Sequence, residues 1–558
     1  MPTTHIALET SKRVPLPGAR ALGRANPNAT IEVTLKLRRK QELPDLDDAS
    51  AQPMTRDELA AVHGASQSDI DRVKQVFAQY DLTAVSADAA TRSVVLEGSV
   101  ENMEKAFQVG LFNYEHPTGN YRGRTGYIQI PTELAGVVQG VFGLDDRRVA
   151  RRRRDATQSA RAATSVRALT SVPNSWYKPA DLAKHYHFPP GDGSGQTIGL
   201  LEFGGGFFPA DLSAFCKLAG TSIPTVKTVS ADGASTSRKD GAEGEVMLDV
   251  EVVAGGCPKA TIVVYFAHWS ERGWLSILDA VVKDKANDPG VVSISWGAPE
   301  DTDIWSRAAI HQVDESLKEL ALLGVTVCVA SGDDGSSDAD MDGHAHVDFP
   351  TSSQYVLSVG GTTISKKGTT APDIVWFEGD GLRSSGHGST GGGVSTVFGR
   401  PSWQTGIHIK SVNPGSVTGR IVPDLAANAD WNASPYLLVV DNQAEPNGGT
   451  SAAAPLVASL VALINAQRGA GKRIGYLTPL LYKPPAGGAA ATTVGGLGCT
   501  DVQHGSNTTA HAGGYQATAG YDAVSGWGTP DGLKLLSALA SPVTTTHQAT
   551  PGTTVPTS

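Results

Sequence analysis

Charge, cysteine and long apolar runs are all scarce in this chain. Charged residues make up 18% of 558. Its four cysteines, Cys216, Cys257, Cys328 and Cys499, are far apart and form no CxxC pair, which argues against a zinc ribbon. Cys328 lies in the apolar run 325–330 and reads as a buried thiol. No apolar run reaches membrane-spanning length, and residues 1–12 lack the charged and apolar regions of a standard signal peptide. No membrane partner is therefore expected, and no export route is visible.

What is present suggests two parts. The length exceeds that of a usual single domain, and 40% hydrophobic residues suffice for a large core. The 63 glycines point to many tight turns. The net charge of −10 hides an asymmetry. Residues 1–171 carry 23 Lys and Arg against 20 Asp and Glu, whereas the remainder carries 23 against 36. A slightly basic front and an acidic back should attract each other, and the acidic back disfavours nucleic acid as a partner.

Periodicity divides the chain further. After an N-terminal extension (1–30), residues 31–146 read as an α+β unit. Residues 30–37, 93–96 and 127–130 have strand patterns, and 70–80, 101–109 and 134–142 have helical ones. That order suggests a ferredoxin-like sandwich. An arginine-rich run and a Ser/Ala/Thr-rich stretch (147–171) read as a cleavable linker. From 172 to 540 the pattern is α/β. Apolar runs at 197–203, 261–266, 291–296, 325–330 and 355–359 alternate with helical stretches at 244–254, 274–282 and 308–323. This implies a parallel sheet covered on both faces, with ligands at the carboxyl ends of its strands. Glu202, Trp296 and Asp333 fall at such ends. The Thr/Pro-rich tail 541–558 reads as disordered.

Three segments carry chemistry. Gly448-Gly449-Thr450-Ser451 precedes the apolar helical stretch 456–466. Such a serine is either a nucleophile mounted at a helix start or an ordinary helix cap. Glu245 and Asp249, four apart in an apolar helix, share one face. They are either a proton-sharing pair or acids that reach solvent or a cation. Asp333, in Ser331-Gly332-Asp333-Asp334-Gly335, follows a buried strand, with Asp334 as its rival and a surface turn as the alternative. No histidine stands ready as a base: His344 and His346 flank Ala345, His387 sits between glycines, and none has a His-Gly-Thr setting. A metal site on His344, His346 and Asp348 lacks a recognisable spacing.

Taken in order, these segments resemble the sedolisins, the serine-carboxyl peptidases. Supporting pieces are Leu201-Glu202-Phe203-Gly204-Gly205-Gly206, Ser293-Ile294-Ser295-Trp296-Gly297, His346-Val347-Asp348-Phe349-Pro350 and Ser389-Thr390-Gly391-Gly392-Gly393-Val394-Ser395. The resemblance implies a subtilisin-like catalytic domain behind a pro-domain that folds and blocks it. It implies Ser451 as nucleophile, Glu245 as general base, Asp249 as its orienting partner and Asp333 as a protonated oxyanion-hole acid. Glu202 and Trp296 would extend the network, and Asp348 would line a pocket for a basic side chain. A structural calcium ion would be held by Asp501 and Asp522 and by the backbone carbonyls of Val502, Thr518 and Gly520. Thr518 stands where the pattern has glycine.

Such chemistry explains the missing histidine. A carboxylate, with an unperturbed pKa near ~4, is a base in acid where imidazole, near ~6.5, is protonated. The expected protein is an extracellular, monomeric endopeptidase acting on proteins or peptides and active below pH ~5, with its pro-domain as intramolecular inhibitor. The rivals are a subtilisin-type Ser-His-Asp protease and an inactive binding protein on the same scaffold.

Overall fold

The computed structural model describes residues 4–46, 53–149, 151–152, 164–165, 171–365, 368, 371–415, 417–469, 471–485, 492–510 and 512–540. Most of the expected linker and the whole tail 541–558 lie outside them.

The front unit is a four-stranded antiparallel sheet ordered Thr83–Asp88, Ser93–Ser99, Thr30–Leu37, Val138–Phe142. Helices Gln67–Ala78 and Val100–Phe107 lie in the connections of a ferredoxin-like sandwich. Val33, Leu35 and Leu37 alternate onto one face and pack with Phe77 and Phe107. Thr34 and Lys36 point the other way and are buried as well, because that face lies on the large unit.

Two expectations change here. Residues 134–142 are not a helix: Val138–Phe142 is an edge strand paired with Thr30–Leu37, after a short turn at Thr132–Leu134. Val138, Val141 and Phe142 favour a pleated surface, and sheet pairing outweighs a brief helical spacing. The residues ahead of Thr30 do not form a separate extension. Arg20–Arg24 pairs with Phe112–Glu115, and His5–Ala7 with Gln129–Pro131, so they belong to this unit.

The large unit is built on an eight-stranded sheet. Its order is Thr225–Ser230, Thr261–Phe266, Thr197–Glu202, Val291–Ile294, Thr326–Ala330, Leu357–Thr363, Ile374–Val375, with Leu425–Asn428 also joined to Leu357–Thr363. Every pairing is parallel except that of Ile374–Val375. Helices Glu243–Gly256 and Thr450–Arg468 join one hydrophobic core, and Glu271–Lys283 and Arg307–Leu322 the other. This is the subtilisin-like sheet covered on both faces. Thr450–Arg468 is long and apolar enough to cross a membrane by length and composition, yet 89% of its apolar window is buried inside the protein. It is a core helix.

The charge asymmetry becomes a set of contacts between the units. Lys36 Nζ lies 2.6 Å from Asp279, Arg39 2.6 Å from Glu319 and Arg13 2.6 Å from Glu271, with all six side chains under 10% exposed. Beyond them, Arg151–Arg152 pairs antiparallel with Trp296–Gly297, and Ala298–Pro299 pairs with Asp348–Phe349.

Candidate active site

The turn that carries Ser451 depends on two glycines. Gly449 has φ +90°, and a Cβ there would stand 2.6 Å from Asp333 Oδ2. A Cβ on Gly448 would lie 2.5 Å from the Ala429 carbonyl. Only glycine permits both approaches. Helix Thr450–Arg468 starts directly after, so Ser451 sits inside its first turn and Gly449 holds the cap position. The cap alternative for Ser451 falls away. The serine is 1% exposed, and its hydroxyl donates to Glu245 Oε1 in a short hydrogen bond.

Helix Glu243–Gly256 brings the acids. Glu245 and Asp249 are both buried, at 6% and 0% exposed. Asp249 accepts two contacts from the Ser295 hydroxyl, at 3.0 and 2.8 Å, and the same hydroxyl lies 3.3 Å from the Ser451 carbonyl. Glu202 Oε2 accepts from Trp296 Nε1 at 3.0 Å. Burial pushes Asp249 well above the usual carboxylate range, and the charges of Glu202 and Glu245 push it further. Burial, with Glu245 beside it, raises Glu202 in the same way. Glu202 and Asp249 therefore favour their protonated forms beside Glu245.

Asp333 approaches from the other side. It follows strand Thr326–Ala330, through Gly332 at φ +118°. Its Oδ1 accepts from the Thr450 N–H at 2.8 Å and the Thr450 hydroxyl at 2.6 Å, which ties it to the turn that carries Ser451. Asp334 is engaged elsewhere. It takes the Arg383 N–H at 2.8 Å and Nε at 2.6 Å, so it is no rival for the place beside Ser451.

The histidines stay apart from this centre. His346 lies between Asp301 (2.7 Å) and Asp342 (3.0 Å), which together lift it to about 9 against the opposing effect of burial. His344 pairs with Asp342, and His387 with Asp380. The His344–His346–Asp348 set does not assemble. Asp348 is buried in its strand opposite Pro299, while Asp340, Asp342 and His346 are the residues whose ligand atoms cluster. Asp348 stands instead on the ribbon that carries Trp296.

Asp501 and Asp522 are tied to one turn through the backbone of Gly520 and Thr518. Asp501 Oδ2 accepts from the Gly520 N–H at 2.9 Å, and Asp522 Oδ2 from the Thr518 N–H at 3.0 Å. Asp501 Oδ1 is buried without a hydrogen-bond partner, an oxygen left for a cation. The residues fit a hard, oxygen-seeking ion.

Sequence reasoning did not single out Ser295, Thr450 or Arg383. Ser295 and Thr450 lie inside motifs that were noticed, but their roles depend on side-chain direction. Arg383 meets Asp334 across 49 residues, and no local pattern announces the pair.

Residues 17–147 match the family described as Pro-kumamolisin, activation domain, and residues 231–479 match the Subtilase family. Kumamolisin from Bacillus sp. (strain MN-32) is 41% identical over 494 residues, covering 87% of this chain and 86% of its own. Tripeptidyl-peptidase sed5 from Aspergillus fumigatus is 28% identical, covering 95% of this chain and 97% of its own. Among solved structures, Pseudomonas sedolisin, a serine-carboxyl proteinase complexed with two molecules of pseudo-iodotyrostatin, superposes with a TM-score of 0.56. It is 26% identical and covers 66% of this chain and 99% of its own.

Proposed function

Because the chain belongs to the sedolisin family of serine-type peptidases and carries its own activation pro-domain, we propose that it is an acid-active endopeptidase working through Ser451 and Glu245. The observation that carries this reading is the hydrogen bond from Ser451 Oγ to Glu245 Oε1 beside Asp333. Glu245 takes the serine proton as Oγ attacks the scissile carbonyl, and Asp249, fixed by Ser295, sets the charge around Glu245. Thr450 makes Asp333 Oδ1 an acceptor, so its proton resides on Oδ2. Protonated Asp333 donates to the oxyanion; ionised, it repels it. Both requirements favour acid.

The pairing of Arg151–Arg152 with Trp296–Gly297 supports the pro-domain as an intramolecular inhibitor, because it lays the chain beyond Val149 along the ribbon that carries Trp296. Asp348 on the same ribbon favours a basic P1 residue, and equal cleavage of Arg and Leu peptides would sink that preference. Asp501 and Asp522, with the carbonyls of Val502, Thr518 and Gly520, would hold a calcium ion that braces this turn. A chelator should lower the melting temperature, and an unchanged melt would remove the ion from the account. A monomer released outside the cell, acting on proteins or peptides and engaging neither membrane nor nucleic acid, completes the reading.

Casein digestion at about pH 4 by the wild type and by Ser451→Ala tests the function. Digestion and pro-domain loss by the wild type alone are expected. Full processing of pure Ser451→Ala would end the claim of self-cleavage.

A further inference from the structure

A hairpin behind the Asp333 loop has no part in the reaction described so far. It leaves the acidic turn after Asp501, closes on itself through a Ser506–Gln516 bridge and returns to Thr518 and Asp522. Asn507, fully buried, lies within it and uses every polar group it has. Its N–H donates to the Tyr515 carbonyl at 3.2 Å, and its Oδ1 accepts from the Tyr515 N–H at 2.9 Å. These two bonds keep the hairpin closed. The other two leave it: the Asn507 carbonyl accepts from the Ser336 N–H at 2.8 Å, and Nδ2 donates to the Gly392 carbonyl at 3.2 Å.

Those outward bonds reach two strips of backbone that hold Asp333 between them. Ser336 belongs to the loop that carries Asp333. Gly392 belongs to the strip whose Ser389 N–H donates to the Asp333 carbonyl at 3.1 Å and whose Gly391 N–H donates to the Gly332 carbonyl at 2.8 Å. Asn507 thus bonds to both. Thr509 adds a second hold on the loop: its N–H and its hydroxyl each lie 3.3 Å from Ser336 Oγ. There is no slack here. A Cβ on Gly335 would come within 2.6 Å of Thr509 and 2.8 Å of the Asn507 carbonyl.

We propose that Asn507 is a positioning residue for the oxyanion acid. It touches neither substrate nor Ser451, and it fixes where the Asp333 carboxyl stands relative to the nucleophile. This rests on the reading of Asp333 as the oxyanion donor. A displacement of ~1 Å at such a donor can cost ~10²-fold in rate, so a buried amide bonded to both strips matters at this position. The sequence Asn507-Thr508-Thr509 also has the form of a glycosylation acceptor. Its burial and four hydrogen bonds leave no place for a glycan on the folded protein.

The test uses processed enzyme at about pH 4 and the variants Asn507→Ala, Thr509→Val and Asp333→Ala. Three readouts are taken: kcat and KM on a peptide, the melting temperature, and affinity for a peptide aldehyde against the matching alcohol. The aldehyde forms a hemiacetal whose oxygen occupies the oxyanion position, and the alcohol does not. Asn507→Ala is expected to lower kcat by ~10-fold or more with KM within ~2-fold, and to weaken the aldehyde but not the alcohol. Thr509→Val, which keeps side-chain volume, should move the same readouts less and stands in if Asn507→Ala does not fold. Unchanged kcat and aldehyde affinity in the folded variants would overturn the proposal. So would equal weakening of aldehyde and alcohol, the mark of general loosening. If Asp333→Ala keeps its kcat, the oxyanion reading itself fails. If Asp333→Ala loses kcat while the Asn507 and Thr509 variants keep it, only the positioning role fails.

Discussion

The interface between the two units and the candidate catalytic centre both bury carboxylates, and they give them different partners. At the interface Asp279, Glu271 and Glu319 each meet a cation, from Lys36, Arg13 and Arg39. In the centre Glu202, Glu245 and Asp249 meet one another, with Ser451, Ser295 and Trp296 as hydrogen-bond donors. At the interface each carboxylate has a cation within ion-pair distance, and removing either charge strands its partner. Burial and neighbouring carboxyls raise Glu202 and Asp249, which favours a proton on these two. The first arrangement ties the front unit to the large one, and the second surrounds Ser451 with acids.

The comparison can be broken first at the centre. Glu245→Gln keeps the shape and removes the base, so kcat should fall by ~10²–10⁴-fold and the pro-domain should stay attached. Full activity in this variant would return a Ser-His-Asp arrangement to consideration. At the interface, Glu319→Gln leaves Arg39, 2% exposed, without its closest charge. Breaking a buried pair costs ~3–5 kcal/mol, so the pro-domain should separate at higher pH than in the wild type. Gel-filtration of the nicked complex across pH would show it, and an unchanged release pH would mean the pair does not hold the clamp.

The smallest effect concerns stability. Burial raises Glu300 and Asp314 to about 7, and raises Glu378 to about 8 with help from Asp430. Each binds a proton in the folded state that it has lost in the unfolded state between about pH 4 and these values. Their contribution is present in acid and lost as pH rises through about 7 to 8. The melting temperature of the processed enzyme should therefore decline from about pH 5 to pH 8. A rise over that window would contradict the protonated state of these groups.

Much of this was legible in the chain. Apolar runs such as 261–266 coincide with Thr261–Phe266 because a strand buried on both faces needs no alternation. The four-residue spacing of Glu245 and Asp249 was legible because a helix fixes which side chains share a face. Val138–Phe142 was misread because its partner strand lies about a hundred residues away, and short apolar segments take their form from what they pair with. Asn507 showed only a glycosylation pattern, since its meaning lies in bonds to Ser336 and Gly392. The resolution of Asp333 from Asp334 needed Arg383 in place.

The central claim is that a carboxylate base and a protonated oxyanion acid share one site. It is tested most directly by kcat/KM from about pH 3 to pH 8 for the processed wild type and for Asp333→Asn. Asparagine can accept from Thr450 and donate to the oxyanion at every pH. The wild type should peak below pH ~5 and fade toward neutrality, while Asp333→Asn should keep its activity further into the neutral range. A wild-type optimum near neutrality with little activity at about pH 4 would contradict the account.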